Sequence, residues 1–115
     1  MLKQSDLEQF TGTEQYFYHL NAFRYTSGVR YLAEHGEAYW LLDAIASYQQ
    51  QDGVKEVPFQ IWILTKNDDD SAKLIMKEDV NQPILVSQDI PYTDFPLTSI
   101  KLYLIAGVLI LPSEY

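Results

Sequence analysis

Asp43 stands in the run Ala38-Tyr39-Trp40-Leu41-Leu42-Asp43-Ala44-Ile45-Ala46-Ser47, a carboxylate set among apolar side chains. At helical spacing Tyr39, Asp43, Ser47 and Gln50 share one strip opposite much of the apolar stripe. In a cleft such a strip has the groups of a small hydrolase or ligand-binding site. Asp43 would be the general base or a metal ligand, and the Tyr39 phenol and Ser47 hydroxyl would orient a substrate. The same strip equally suits the polar side that a packed helix turns to water or to a neighbouring loop. His19 and His35 are the two imidazoles of the chain, and either can complete an acid–base set with Asp43. Together with Glu34, Glu37 or Asp43 they could also form a metal pair, but no His-Glu-x-x-His spacing is present and no metal is expected. His35 falls in the last turn expected of its helix, where an imidazolium interacts favourably with the helix dipole. His19 follows three aromatics and reads as packed or exposed.

Other chemistry has less to build on. Ser27, Ser47, Ser87 and Ser99 lack a Gly-x-Ser-x-Gly elbow, and five glycines without a Gly-rich loop offer no phosphate cradle. Asp68 to Asp70 lack the alternating ligands and closing glutamate of a calcium loop and read as a solvated hairpin tip. Without cysteine there are no disulfides, thiolate metal sites or thiol nucleophiles. No cofactor is expected, and the balance of motifs points to a non-enzymatic protein.

Sixteen acids against eight bases give a net charge of −8, and a field of that sign repels phosphate backbones, so nucleic-acid binding is not expected. A DNA-mimicking inhibitor of a basic protein is an alternative that needs the acids in rows along one elongated face. The most apolar stretch, Ile100 to Leu111, contains Lys101 and is far short of the ~20 residues that cross a bilayer. The N-terminus has no signal-peptide pattern, so a cytoplasmic setting without membrane insertion is the expectation. Nine tyrosines, five phenylalanines and two tryptophans exceed what a small two-layer core must hold, and tyrosine favours the border between apolar surface and water. Leu102 to Leu111, if an exposed edge, must be paired, covered or buried between subunits. A homodimer is the expected use of this surplus.

These residues need elements to position them. A chain of 115 residues and 13.3 kDa is one domain, residues 1–115, folding to roughly 6,400 Å² of surface. Ser5-Asp6-Leu7-Glu8 has capping-box spacing and opens a short helix reaching Phe10, which Thr11-Gly12-Thr13 breaks. Glu14 to Leu20 reads as a strand from its aromatics. Ser27 caps a helix from Gly28 to His35 that stops at Gly36, and Arg30 and Glu34 pair one turn apart along it. Ala38 to Gln50 is the central helix, with Trp40, Leu41, Ala44, Ile45 and Tyr48 inward. Phe59 to Thr65 and Ser71 to Lys77 form a hairpin around Asn67–Asp70. Ile84 to Gln88, Ile100 to Ile105 and Val108 to Leu111 add strands, the last two joined by a tight turn at Ala106-Gly107 or running on through a bulge there. Tyr92 to Pro96 is a connection. The expected fold is α+β, with N-terminal helices packed on one face of a four- to five-stranded, mainly antiparallel sheet.

Four stretches carry a family resemblance: Tyr25-Thr26-Ser27-Gly28-Val29-Arg30-Tyr31-Leu32, Ala38-Tyr39-Trp40-Leu41-Leu42-Asp43-Ala44-Ile45, Tyr92-Thr93-Asp94-Phe95-Pro96-Leu97 and Leu111-Pro112-Ser113-Glu114-Tyr115. On these the chain resembles a family of small prokaryotic proteins classed only as a domain of unknown function. Ser27 stands where such proteins often have aspartate, another good N-cap. The resemblance implies an intact single domain and no reaction, cofactor or catalytic residue. The leading expectation is an acidic module acting through protein contact. The Tyr39/Asp43/Ser47 strip with a histidine is the enzymatic or ligand-binding alternative.

Overall fold

A computed structural model describes residues 2–11 and 15–115. Its order is α1 (Gln4–Glu8), β1 (Tyr16–His19), β2 (Phe23–Thr26), α2 (Ser27–His35), α3 (Tyr39–Tyr48), β3 (Phe59–Lys66), β4 (Ala72–Lys77), β5 (Ile84–Ile90), β6 (Ser99–Ile105) and β7 (Val108–Ile110), with a 3₁₀ turn at Pro112–Glu114. The accessible surface is 6589 Å², close to the value expected from mass.

The strands form one sheet in the order β1-β2-β7-β6-β3-β4-β5. The four or five strands expected become seven among the described residues, because Phe23–Thr26 is also a strand and the β1–β2 hairpin joins the same sheet. Phe23-Arg24-Tyr25-Thr26 is too short for alternation to stand out, and it pairs only with β1 and with β7. The β2–β7 pair is parallel and the other five are antiparallel. β1 covers part of the expected Glu14 to Leu20 strand, while Glu14 and the expected break at Gly12-Thr13 lie outside the described residues.

Alternation sets the two faces. Gln60, Trp62 and Leu64 of β3, Ala72, Leu74 and Met76 of β4, and Ile100, Leu102 and Leu104 of β6 are buried beneath the helices. The side chains between them point the other way. On α3 the fully buried residues are Leu41, Leu42, Ile45 and Ala46. Trp40, Ala44 and Tyr48 pack partly buried against the core, so the inward stripe is rotated from the expected one. A helix that packs against both α2 and the sheet buries more than one narrow stripe. Leu102 to Leu111, expected to need cover if it were an edge, is interior. β6 lies between β3 and β7, and β7 between β6 and β2. The free edges are β1 and β5.

Local chemistry explains the joints. Thr26, not Ser27, caps α2, its hydroxyl accepting from the Val29 N–H at 3.3 Å. At α1 the Asp6 carboxylate accepts from the Lys3 N–H at 2.9 Å, two residues earlier than a Ser5 cap would place it. Ala106 and Gly107 have φ of 48° and 81°, the two left-handed residues of a tight β6–β7 hairpin turn, so the chain reverses there and no bulge carries a single strand through. The Asn67–Asp70 tip is a turn as expected. Its Asp69 carboxylate accepts from the Ser71 hydroxyl and N–H, and those bonds hold the Asp69 pKa below its ordinary value.

Candidate functional site

The β1–β2 hairpin turns through Leu20 and Asn21, both at positive φ, and pairs His19 with Phe23. His19 therefore points to the helix side, stacked on Phe23 at 5.6 Å and edge-on to Tyr25 at 6.0 Å. Its Nε2 meets Asp43 Oδ1 of α3 at 2.8 Å. A carboxylate only accepts, so Nε2 carries the proton of this bond. The imidazole is largely enclosed, with its side chain 12% exposed, and the carboxylate is open, at 60%.

This is the contact that the expected Asp43–histidine set required, made by His19. His35 goes elsewhere. It ends α2, as anticipated for a C-terminal imidazole, and stacks on Tyr31 at 4.0 Å. Ser47 and Tyr39 share the exposed side of α3 with Asp43, but their polar atoms diverge. The Ser47 hydroxyl donates to the Ala44 carbonyl at 2.6 Å within its own helix. Tyr39 belongs to a cluster with Tyr25 and Glu34. Partial burial pushes its phenol above the ordinary value, and Tyr25 and Glu34 push the same way. Glu34 in turn is paired with Arg30 at 2.8 Å, whose hydrogen bond lowers the Glu34 carboxyl and raises the guanidinium. The Arg30 side chain also covers the Phe17 ring at 4.7 Å. An oriented imidazole is therefore present without a hydroxyl nucleophile from Ser47 or Tyr39 beside it.

A second cluster carries no sequence signal, because its members are far apart in the chain. Glu114 Oε1 accepts from the Thr26 hydroxyl at 2.6 Å and from the Leu111 N–H at 2.9 Å. A Cβ on Gly28 would come within 2.7 Å of that oxygen and of Leu111 Cδ1. Glu114 thus presses a carboxylate onto the N-terminal turn of α2, where the helix dipole favours negative charge. Glu114 Oε2 is buried and accepts no hydrogen bond from the described residues. This joint unites two of the stretches that carry the family resemblance.

A cavity of about 320 Å³ lies between α1, β6 and the 3₁₀ turn, lined by Gln4, Glu8, Lys101 and Ser113 among others. Neither His19 nor Asp43 lines it. Among the described residues no three His, Asp or Glu side chains are placed to hold a metal ion, and no helix is long and apolar enough to cross a membrane.

The side of the sheet away from the helices is open. Arg24, Lys73, Lys77 and Lys101 point outward from β2, β4 and β6, whereas among the described residues Asp89 is the one acid at an outward strand position. Half-buried Ile63, Ile75, Tyr103 and Ile105 lie between them. Phe59, Tyr103 and Tyr115 form a ring trio with centroids 5.4 to 5.7 Å apart. Depressions of about 430 and 400 Å³ open here, one floored by Phe59 and Ile61, the other by Ile75 and Lys73.

One protein-family model matches the chain, over residues 1–115, and its description is a family of unknown function (DUF6876). No curated protein matches, and no solved structure matches.

Proposed function

The chain belongs to DUF6876 over its whole length, a membership that brings no reaction with it, and we propose that it is a protein-contact module whose contact surface is the open face of its sheet. One observation carries this reading. The outward strand positions hold four of the eight bases and one of the sixteen acids, so a chain of net charge −8 turns a cationic and apolar face outward. Glu78 and Asp79 stand at its rim. A surface with half-buried isoleucines between lysines fits an amphipathic acidic segment of another protein, with burial supplying affinity and charge supplying orientation. The overall acidity disfavours nucleic acid at the same face.

The test uses two synthetic amphipathic helical peptides with the same apolar stripe, one with glutamates and one with lysines on the polar side. The glutamate peptide binds more tightly, weakens with salt, and shifts the Ile63 and Ile75 methyl resonances. The double variant Lys77→Glu, Lys101→Glu reverses the preference. Equal binding of both peptides, or shifts confined to the helix side, rejects the reading.

The 2.8 Å contact between His19 and Asp43 favours a second reading, a hydrolytic or ligand-binding use of that pair. It predicts cleavage of an activated ester that is lost in His19→Gln, and equal rates in the two proteins reject it. The DNA-mimic reading asks for one elongated acidic face. The domain measures 37 × 36 × 28 Å, and its acids are spread over helices, turns and loops, so nothing favours it.

A further inference from the structure

Resting on the contact-module reading, we propose that β5 pairs with β5 of a second copy, antiparallel about Ser87, to give a homodimer with one continuous sheet. β5 ends the sheet, and along its seven residues, Ile84-Leu85-Val86-Ser87-Gln88-Asp89-Ile90, the outer side of the backbone has no neighbouring strand. Natural sheets blunt such edges with brevity, lysine or proline. The opposite edge, β1, has four residues. β5 has neither lysine nor proline, and its irregularity is confined to the register shift opposite Met76 and Lys77. Exposed apolar residues gather at its start, with Val80, Ile84 and Leu85 at 60%, 51% and 45%.

The strand is complementary to itself, which is why the occupant is a second copy. Turned end for end about Ser87, it sets Ser87 opposite Ser87, Val86 opposite Gln88 and Leu85 opposite Asp89. From Leu85 to Asp89 outward residues then meet outward residues and helix-side residues meet helix-side residues. The register shift opposite Met76 and Lys77 turns Ile84 to the outward face and ends the match before the Ile84–Ile90 pair. No like charges face each other, and the charge of Asp89 is already matched by Lys73 of its own sheet at 3.7 Å. A main-chain ladder of this kind supplies affinity through hydrogen bonds, and the alternating side chains supply register. The axis leaves both open sheet faces on the same side of the extended sheet, so a dimer offers a contact surface of twice the width.

The test is mass in solution by sedimentation velocity, with Ser87 as the probe because it is exposed and its replacement leaves the monomer core untouched. The wild-type chain runs at twice 13.3 kDa at micromolar concentration. Ser87→Lys, which puts like charges face to face on the axis, runs as a monomer with an unchanged circular dichroism spectrum. An equal mixture of Ser87→Lys and Ser87→Asp restores the dimer. A wild-type monomer at about 100 μM, well above the dissociation constants of specific dimers, overturns the proposal, as does a Ser87→Lys chain that stays dimeric. The two readings fail separately. A monomer that still prefers the glutamate peptide removes edge pairing alone, and a dimer blind to peptide charge removes the acidic partner alone.

Discussion

The Thr26 hydroxyl and the Glu114 carboxylate, 88 positions apart in the chain, meet at 2.6 Å, and the same Thr26 oxygen accepts from the Val29 N–H that opens α2. One threonine both caps a helix and anchors the 3₁₀ turn, and Gly28 beside it is the residue whose missing side chain makes room.

Glu114→Ala leaves the buried Thr26 hydroxyl and the Leu111 N–H without their acceptor, which costs about 1–3 kcal/mol. Gly28→Ala forces a carbon against Glu114 and Leu111 and costs a similar amount, about 1–3 kcal/mol. Because Glu114 is one of the two groups the new methyl strikes, the double variant loses less than the two single losses combined. Urea denaturation of the four proteins checks this, and strict additivity contradicts it.

The His19–Asp43 bond joins edge strand β1 to α3, but its carboxylate is mostly in water. Asp43→Asn therefore costs less than about 1 kcal/mol. His19→Ala costs more, since it also removes the ring packed on Phe23 and Tyr25. Equal losses in denaturant melts would mean that the charge pair, not the ring packing, holds the hairpin.

Gln60, 2% exposed, accepts from Trp62 Nε1 and from Gln49 Nε2, both at 2.9 Å, and donates to the Val54 carbonyl at 3.0 Å. Gln60→Leu fits the space but orphans the buried indole N–H. The expected loss is about 2 kcal/mol or more, with a shift in the Trp62 Hε1 resonance. A stable Gln60→Leu protein with an unshifted indole signal contradicts this role.

Ala106 holds a φ of 48° in the β6–β7 turn, a conformation that strains a residue with a Cβ. Ala106→Gly relieves it and stabilises by about 0.5–1 kcal/mol, raising the melting temperature by a few degrees. A lower melting temperature argues that Ala106 makes a contact worth more than the strain.

Tyr39 has its phenol raised by partial burial, by Tyr25 and by Glu34. A group whose pKa is raised on folding contributes stability that is complete below its unfolded value of 10.0 and is lost as pH climbs through the folded value. Alkaline titration of the Tyr39 ring carbon therefore has its midpoint above that of free tyrosine. In Tyr39→Phe, stability falls less steeply on the alkaline side.

Strands β3 to β6 were legible because each runs to six residues or more, and alternation in Ala72-Lys73-Leu74-Ile75-Met76 stands clear of noise, while the short β7 was marked by the Ala106-Gly107 turn before it. β2 was not, since four residues cannot display a period and its partners are distant. The number of strands and the parallel pair followed from that omission. In the candidate site, helical spacing correctly put Tyr39, Asp43 and Ser47 on one exposed side. It could not show that Ser47 bonds back to Ala44, or which histidine reaches Asp43, because His19 arrives from a hairpin whose course depends on β7. The Thr26–Glu114 joint left no trace in spacing at all.

The one parallel pair, β2 with β7, has a consequence for biosynthesis. The β1–β2 hairpin is made early, yet its docking strand is made late, so the early hairpin must wait on α3 and its own turn until β7 is synthesised. Long-range closure of this kind slows folding and leaves the nascent chain with an unsatisfied strand until the ladder closes.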